Sequence, residues 1–158
     1  MKGFKDWLAL IGFVVLSQAA GAVGSLFTFS AIAGWYLQLA RPALSPPNWV
    51  FGPVWNTLYI LMGVAAFLVW KRGSGPRVRR ALLVFGLQLS LNALWSVLFF
   101  GLQSPALGLM CIAALWLSIV WTIVLFGKVS RPAARLLWPY LAWVTFASYL
   151  NAAIWLLN

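Results

Sequence analysis

Five apolar runs, residues 7–29, 50–70, 81–100, 105–126 and 136–157, alternate with short stretches that hold nearly all the charge. Each run is near the ~20 residues a helix needs to cross a bilayer, and none contains Asp, Glu, Lys, Arg or His. Unpaired backbone groups in hydrocarbon cost several kcal/mol each, so a spanning segment has to be a helix or a strand of a closed barrel. Barrel strands are only ~10 residues long and alternate in polarity, which these runs do not. The pattern predicts an all-α fold, an integral membrane bundle of five transmembrane helices forming one domain over residues 1–158.

The connections supply the punctuation. The first, residues 30–48, is the longest and carries Pro42, Pro46 and Pro47, which predicts an ordered, non-helical cap ending in Asn48 as N-cap of the second helix. The second, residues 71–80, holds Gly73, Ser74, Gly75 and Pro76 between basic flanks. The third, residues 101–104, leads into Pro105 with Ser104 as N-cap, so helices three and four are antiparallel neighbours. Pro53 and Pro139 lie inside the runs near helix ends, where they either bend the helix and shape a cavity mouth or sit tolerated at the membrane surface. Ser17, Gly21 and Ser25, four residues apart, let another backbone approach helix one, and internal packing is favoured there over a dimer face. There is no internal repeat, and five helices do not divide into two inverted halves.

Charge sets an orientation. Of 11 Lys and Arg residues, Lys2, Lys5, Lys71, Arg72, Arg77, Arg79, Arg80, Lys128, Arg131 and Arg135 lie at the N-terminus and in the second and fourth connections, and Arg41 alone lies on the other side. The positive-inside rule then places the N-terminus in the cytoplasm and the C-terminus outside, with a bacterial cell membrane favoured. The basic clusters are short and juxtamembrane, which argues against nucleic acid as a partner and for the lipid bilayer. The first run follows a basic start and contains small residues, as a signal peptide does, but it continues apolar to Phe29, so it is read as a retained helix.

With no histidine, one cysteine (Cys111) and one acid (Asp6, placed just outside the first span), most catalytic schemes fail. No Ser-His-Asp or Cys-His set, carboxylate pair or metal-ligand cluster is present, and no intramembrane carboxylate is available to couple transport to protons or sodium. What remains is recognition by aromatic, amide and hydroxyl groups, suited to an apolar ligand with a few polar edges. Among the 11 tryptophans, Trp7, Trp35, Trp70, Trp138 and Trp155 flank the spans as interfacial anchors, whereas Trp55, Trp95, Trp116, Trp121 and Trp143 lie deeper. Helical spacing aligns Gln88, Asn92, Trp95 and Phe99 in helix three, Trp143, Ala147 and Asn151 in helix five, and Trp55, Tyr59, Met62 and Ala66 in helix two. Amides in hydrocarbon turn inward, so the stripes converge either on a ligand cavity or on a filled core knit by interhelical hydrogen bonds.

The sequence resembles the TspO/translocator protein family, the tryptophan-rich sensory or peripheral benzodiazepine receptor-like proteins. The carriers are Trp35-Tyr36, Arg41-Pro42, the block from Ser45 through Pro46-Pro47-Asn48-Trp49 to Trp55, Leu58-Tyr59, Met62-Gly63, Gln88-Leu89, Leu91-Asn92, Trp95, Phe99-Phe100-Gly101, and Arg135 through Trp138-Pro139-Tyr140 to Trp143, then Phe146-Ala147 and Leu150-Asn151. The resemblance implies a five-helix, often dimeric protein that binds porphyrins, with haem as a related ligand and no required cofactor or metal. It implies a pocket beneath the first loop formed by Tyr36, Pro47, Trp55, Asn92, Trp95, Phe99, Trp143, Ala147 and Leu150, to which the amide stripe adds Gln88. Arg41, the sole basic residue on the outer side, is placed to meet a porphyrin carboxylate or is an exposed loop charge. A receptor, sensor or translocator is the leading reading. The alternative is light-driven porphyrin breakdown, with Trp55 and Trp143 as the redox-active residues. Two departures stand out: Leu44 replaces a common loop aromatic, and no Lys or Arg follows Tyr149 to complete a sterol motif, so sterol binding is expected to be weak.

Overall fold

All five apolar runs fold as helices, the form in which one segment pairs its own backbone groups. The computed structural model describes residues 3–158; Lys2, counted above among the basic residues, lies outside them. In chain order the helices are α1 (Phe4–Ile32), the single turn α2 (Trp35–Gln38), α3 (Phe51–Trp70), α4 (Pro76–Ser96), α5 (Pro105–Gly127), the short α6 (Arg131–Leu136) and α7 (Trp138–Leu157). A 3-10 turn, Asn48–Val50, leads into α3, and a π-helical turn, Val97–Gly101, follows α4. With these extensions, five segments are long and apolar enough to cross a membrane. Their outward surface is apolar, with Leu26 74%, Phe29 75% and Met110 72% exposed, a surface suited to lipid and costly in water. Hydroxyls within the spans bond back to their own helices, as Ser17 does to Phe13 O at 3.0 Å and Thr122 to Ser118 O at 2.7 Å.

Several boundaries depart from the sequence expectation, each for a local reason. Asp6 lies inside the first turn of α1, where the helix dipole favours an acid, and its carboxylate meets Lys71 Nζ at 2.9 Å. That contact ties the start of α1 to the end of α3, and the hydrogen bond from Lys71 to Asp6 raises the lysine pKa. Helix α4 starts at Pro76, whose fixed φ suits the first helical position, so Arg77, Arg79 and Arg80 belong to its opening turns rather than to a loop. Ser104 caps α5 as expected, accepting from Leu107 N at 3.3 Å. Asn48 makes no cap bond, because the 3-10 turn stands where the cap was expected, and the first connection contains the helical turn α2. Pro53 lies in the first turn of α3, where its nitrogen has no intrahelical partner to lose. Pro139 does interrupt: its ring cannot follow the carbonyl four residues back, and the fifth span is split at Leu137 between α6 and α7.

The bundle has a filled half and a hollow half. Around its axis α3 lies against α1, α1 against α4, α4 against α5, and α5 against α7, while α3 meets the fifth span chiefly through α6. At the end bearing the basic connections, Met62, Val69, Phe85, Ile112, Leu115, Ile119, Phe126 and Val144 pack into one core. Toward the other end, under the proline loop, α3 and α7 diverge and aromatic side chains reach across: Phe51 to Trp143 at 5.8 Å and Trp55 to Tyr140 at 6.2 Å between ring centroids. The α1–α3 contact is close enough that a Cβ on Gly63 would stand 2.5 Å from Val14 Cα, a backbone neighbour that cannot rotate away. Gly63→Ala is therefore expected to destabilise by about 1–3 kcal/mol, whereas Gly86→Ala, with nothing within 4 Å, is expected to be neutral or to gain up to ~1 kcal/mol of helix propensity. Thermal unfolding of both variants in one detergent checks the contrast; equal behaviour would mean that α1 and α3 are not packed backbone to backbone.

Candidate ligand pocket

The hollow half is a cavity of about 480 Å³, within the ~300–1,000 Å³ of small-molecule sites. Four of the spans wall it. From α3 come Trp55 and Tyr59, from α4 and its π turn Asn92, Trp95 and Phe99, from α7 Trp143, Ala147, Leu150 and Asn151, and from α1 Gln18, Gly21 and Ser25. Tyr36 of α2 and Asn48 close it from the loop side. Small residues on α1 make the room: a Cβ on Gly21 would run into the Tyr59 ring, so the Ser17-Gly21-Ser25 face serves internal packing. The π turn inserts a residue into the α4 register. It brings consecutive Phe99 and Phe100 to one aromatic cluster, with Trp95 stacked on Phe99 at 5.3 Å and Tyr36 at 5.8 Å from Phe100.

A chain of hydrogen bonds forms the floor. Tyr59 Oη donates to Asn92 Oδ1 at 2.5 Å, Asn92 Nδ2 donates to Tyr140 Oη at 2.9 Å, Tyr140 Oη donates to Gln88 Oε1 at 2.8 Å, and Gln88 Nε2 points to Met62 Sδ at 3.7 Å. A second set stands on the wall: Trp95 Nε1 donates to Asn151 Oδ1 at 3.0 Å, and Asn151 Nδ2 donates to Pro105 O at 2.7 Å, which brings in α5 without its lining the cavity. One donor is left over. Trp143 Nε1 is buried and has no partner, although an indole N–H shut away from water normally finds one.

The loop that roofs the cavity is held at both ends. Asn158 accepts from Ala40 N and donates to Ala40 O, both at 3.0 Å, clamping the loop to the end of α7. Ser45 N donates to Pro42 O at 3.0 Å in a turn. Arg41 stacks over the Tyr36 ring at 5.3 Å. Burial raises the Tyr36 pKa, and the nearby Arg41 guanidinium opposes that rise.

Of the residues singled out in the sequence, Tyr36, Trp55, Asn92, Trp95, Phe99, Trp143, Ala147 and Leu150 surround this one cavity. Gln88 lies beneath its floor, held by Tyr140, and Pro47 lies above its roof, lining a separate outer recess. Sequence reading missed α1 as a wall. Trp35, assigned to the interfacial belt, also packs edge-on against Phe99 at 5.7 Å. Trp116, counted among the deep residues, is spent on Thr145 Oγ1 at 2.8 Å, and Trp121 faces outward under Arg80. Among the described residues no group of three or more His, Cys, Asp or Glu could hold a metal.

Asn92 links two tyrosine hydroxyls from different spans, so Asn92→Leu should cost about 1–3 kcal/mol by leaving the Tyr59 hydroxyl buried without an acceptor. Tyr59→Phe in that background should restore part of the loss, since the orphaned group is then gone. Thermal unfolding of the two single variants and the double variant measures this; a further loss in the double variant would break the account.

The TspO/MBR family model matches residues 13–156. The chain is 44% identical over 153 residues to the tryptophan-rich protein TspO of Archaeoglobus fulgidus, covering 96% of this chain and 97% of that one. It is 45% identical to the protein of the same name from Chlorobaculum tepidum, covering 98% of each, and 39% identical to the human translocator protein, covering 94% of this chain and 89% of the human one.

Proposed function

The chain belongs to the TspO/MBR family, and we propose that it is a membrane receptor or translocator holding a porphyrin, haem or similarly flat apolar ligand in the hollow half of its bundle. The observation that carries this reading is the unpartnered Trp143 Nε1 in an aromatic-walled cavity: a buried donor costs free energy unless an acceptor meets it, and a ring nitrogen or carbonyl of a bound ligand would supply one. Trp55, Trp95 and Phe99 offer faces for stacking. The floor amides are occupied by the Tyr59 and Tyr140 hydroxyls, so Asn92 acts first by holding Tyr59 and Tyr140 in place.

A second reading keeps the ligand and adds chemistry. Trp55 stacks on Tyr59 at 5.6 Å and lines the cavity with Trp143, which favours these two indoles as redox partners of a photo-excited porphyrin. Loss of bound porphyrin that requires both light and oxygen, and that stops in Trp55→Phe or Trp143→Phe while dark binding persists, would select the enzyme; stability under illumination would select the receptor.

The same proposal places the N-terminus in the cytoplasm of a bacterial cell and pairs two chains in the membrane as a homodimer. The basic bias supports the orientation, and the apolar outer surface is compatible with a partner helix as well as with lipid. Cys111 is buried, so engineered thiols can be read against a quiet background. Leu44→Cys should react with an impermeant maleimide on intact cells, and Lys5→Cys only after the membrane is opened; the reverse would invert the topology.

For binding itself, Trp55→Ala and Trp143→Ala should each weaken porphyrin affinity by roughly fivefold, about 1 kcal/mol for one lost aromatic partner. Trp7→Ala and Trp155→Ala, 56% and 49% exposed in the parent, should change it little. Titration of the four purified variants in the dark, following Soret absorbance alongside thermal stability, tests this. Equal losses in all four would move the ligand to the lipid-facing surface.

A further inference from the structure

Above the roof of the pocket lies a second recess of about 620 Å³, lined by Arg41, Ser45, Pro47 and Asn48 among others. Its chemistry is opposite to that of the cavity below. It is built of loop residues and carries Arg41, among the described residues the single basic side chain at this end of the bundle. Ser45 is one of its lining residues, and the Ser45 Oγ is buried and without a hydrogen-bond partner. Asn48 lines both spaces, and Tyr36, which closes the lower cavity, carries the Arg41 guanidinium over its ring at 5.3 Å. The two spaces are thus neighbours across one thin partition. The contact with Tyr36 and the clamp of Ala40 by Asn158 limit how far Arg41 can wander.

We infer that this recess is an anion subsite, in which Arg41 and Ser45 receive a carboxylate of the ligand whose apolar body fills the cavity beneath. The inference rests on the proposed function and sharpens it: the ligand class becomes a flat apolar ring system bearing at least one acidic arm. A guanidinium is suited to a planar carboxylate because two of its N–H groups match the two oxygens, and the free Ser45 hydroxyl supplies the further donor that a partly buried anion needs. The end of the bundle matters as well. The other described basic residues cluster at the opposite end, where they are poorly placed to hold a ligand in the hollow half.

The test compares protoporphyrin IX as free diacid with its dimethyl ester, which keeps the ring and removes the charge, against wild type, Arg41→Gln, Arg41→Lys and Ser45→Ala in one detergent. Arg41→Gln should weaken binding of the diacid about tenfold and leave the ester within twofold. Ser45→Ala should weaken the diacid by about threefold with the same sparing of the ester. Arg41→Lys should retain most of the preference for the diacid, which a collapse of the loop would not allow. Equal losses for diacid and ester would show that Arg41 only shapes the roof, and unchanged binding of both would remove it from the site; either result overturns the subsite while leaving the pocket standing. Wild-type protein that binds neither compound would overturn the proposed function, and the subsite with it.

Discussion

An amide or hydroxyl placed in hydrocarbon has to be paired inside the protein, and in this bundle one chain of such pairs sets the rest. Tyr59, Asn92, Tyr140, Gln88 and Met62 join α3, α4 and α7 at a single level. Below that level apolar side chains fill the space between helices. Above it α3 and α7 part, and the gap is the pocket. Asn92 is the hinge of the arrangement, because it accepts from one tyrosine and donates to another. Had the floor been made of leucines, the helices would have had no polar reason to keep this register, since apolar side chains gain little by leaving lipid for one another. The polar floor therefore fixes where the packed core stops and the cavity begins.

The hollow half carries a cost that the rest of the bundle offsets. Cavity walls give up the dispersion contacts that a filled core would make, and the Trp143 indole adds an unmade hydrogen bond. Against this stand the tight α1–α3 contact at Gly63, the core around Phe85, Ile119 and Phe126, the Asp6–Lys71 pair at the far end, and the Asn158 clamp on the roof. Among the described residues, the buried side-chain groups without partners are those of Trp143 at the cavity and Ser45 in its roof, where the proposed ligand would meet them. This is the distribution expected of a binding site, where a protein departs from its own packing rules locally and compensates elsewhere.

How much of this was legible in the sequence depends on the kind of signal. The five spans were, because membrane helices write their length and polarity directly into the chain. The convergence of the three stripes was also legible, since spacing of three and four residues carries Trp55 with Tyr59, Asn92 with Trp95, and Trp143 with Ala147 to one helix face, and amides must turn inward. Whether those stripes enclosed a filled core or a cavity was not legible from spacing alone, because it depends on the divergence of α3 from α7 after the break at Leu137. The role of α1 was hidden for a different reason. Its contribution is the absence of side chains at Gly21 and Gly24 on an otherwise lipid-facing helix, and small residues announce close approach without saying to what. The π turn left no trace either: helical spacing put Phe99 in the stripe with Asn92 and Trp95 and gave Phe100 no place in it, and only the inserted register turns both toward Tyr36 and Trp95.

A loop with Pro42, Pro46 and Pro47 loses less conformational freedom on folding than one without them, and here it is fastened to α7 through Asn158 and to the pocket through Tyr36. The loop thus becomes a fixed wall, with Tyr36 turned down to the cavity and Arg41 on the side of the outer recess. A flexible loop would have hydrated Ser45 and let the exposed Arg41 leave the Tyr36 ring, and an unplaced surface charge contributes little to affinity. Because the loop is held, the same few residues separate two environments of opposite polarity within the length of one small molecule. A ligand that spans them must itself be amphipathic, and that requirement follows from the position of the partition rather than from any single side chain.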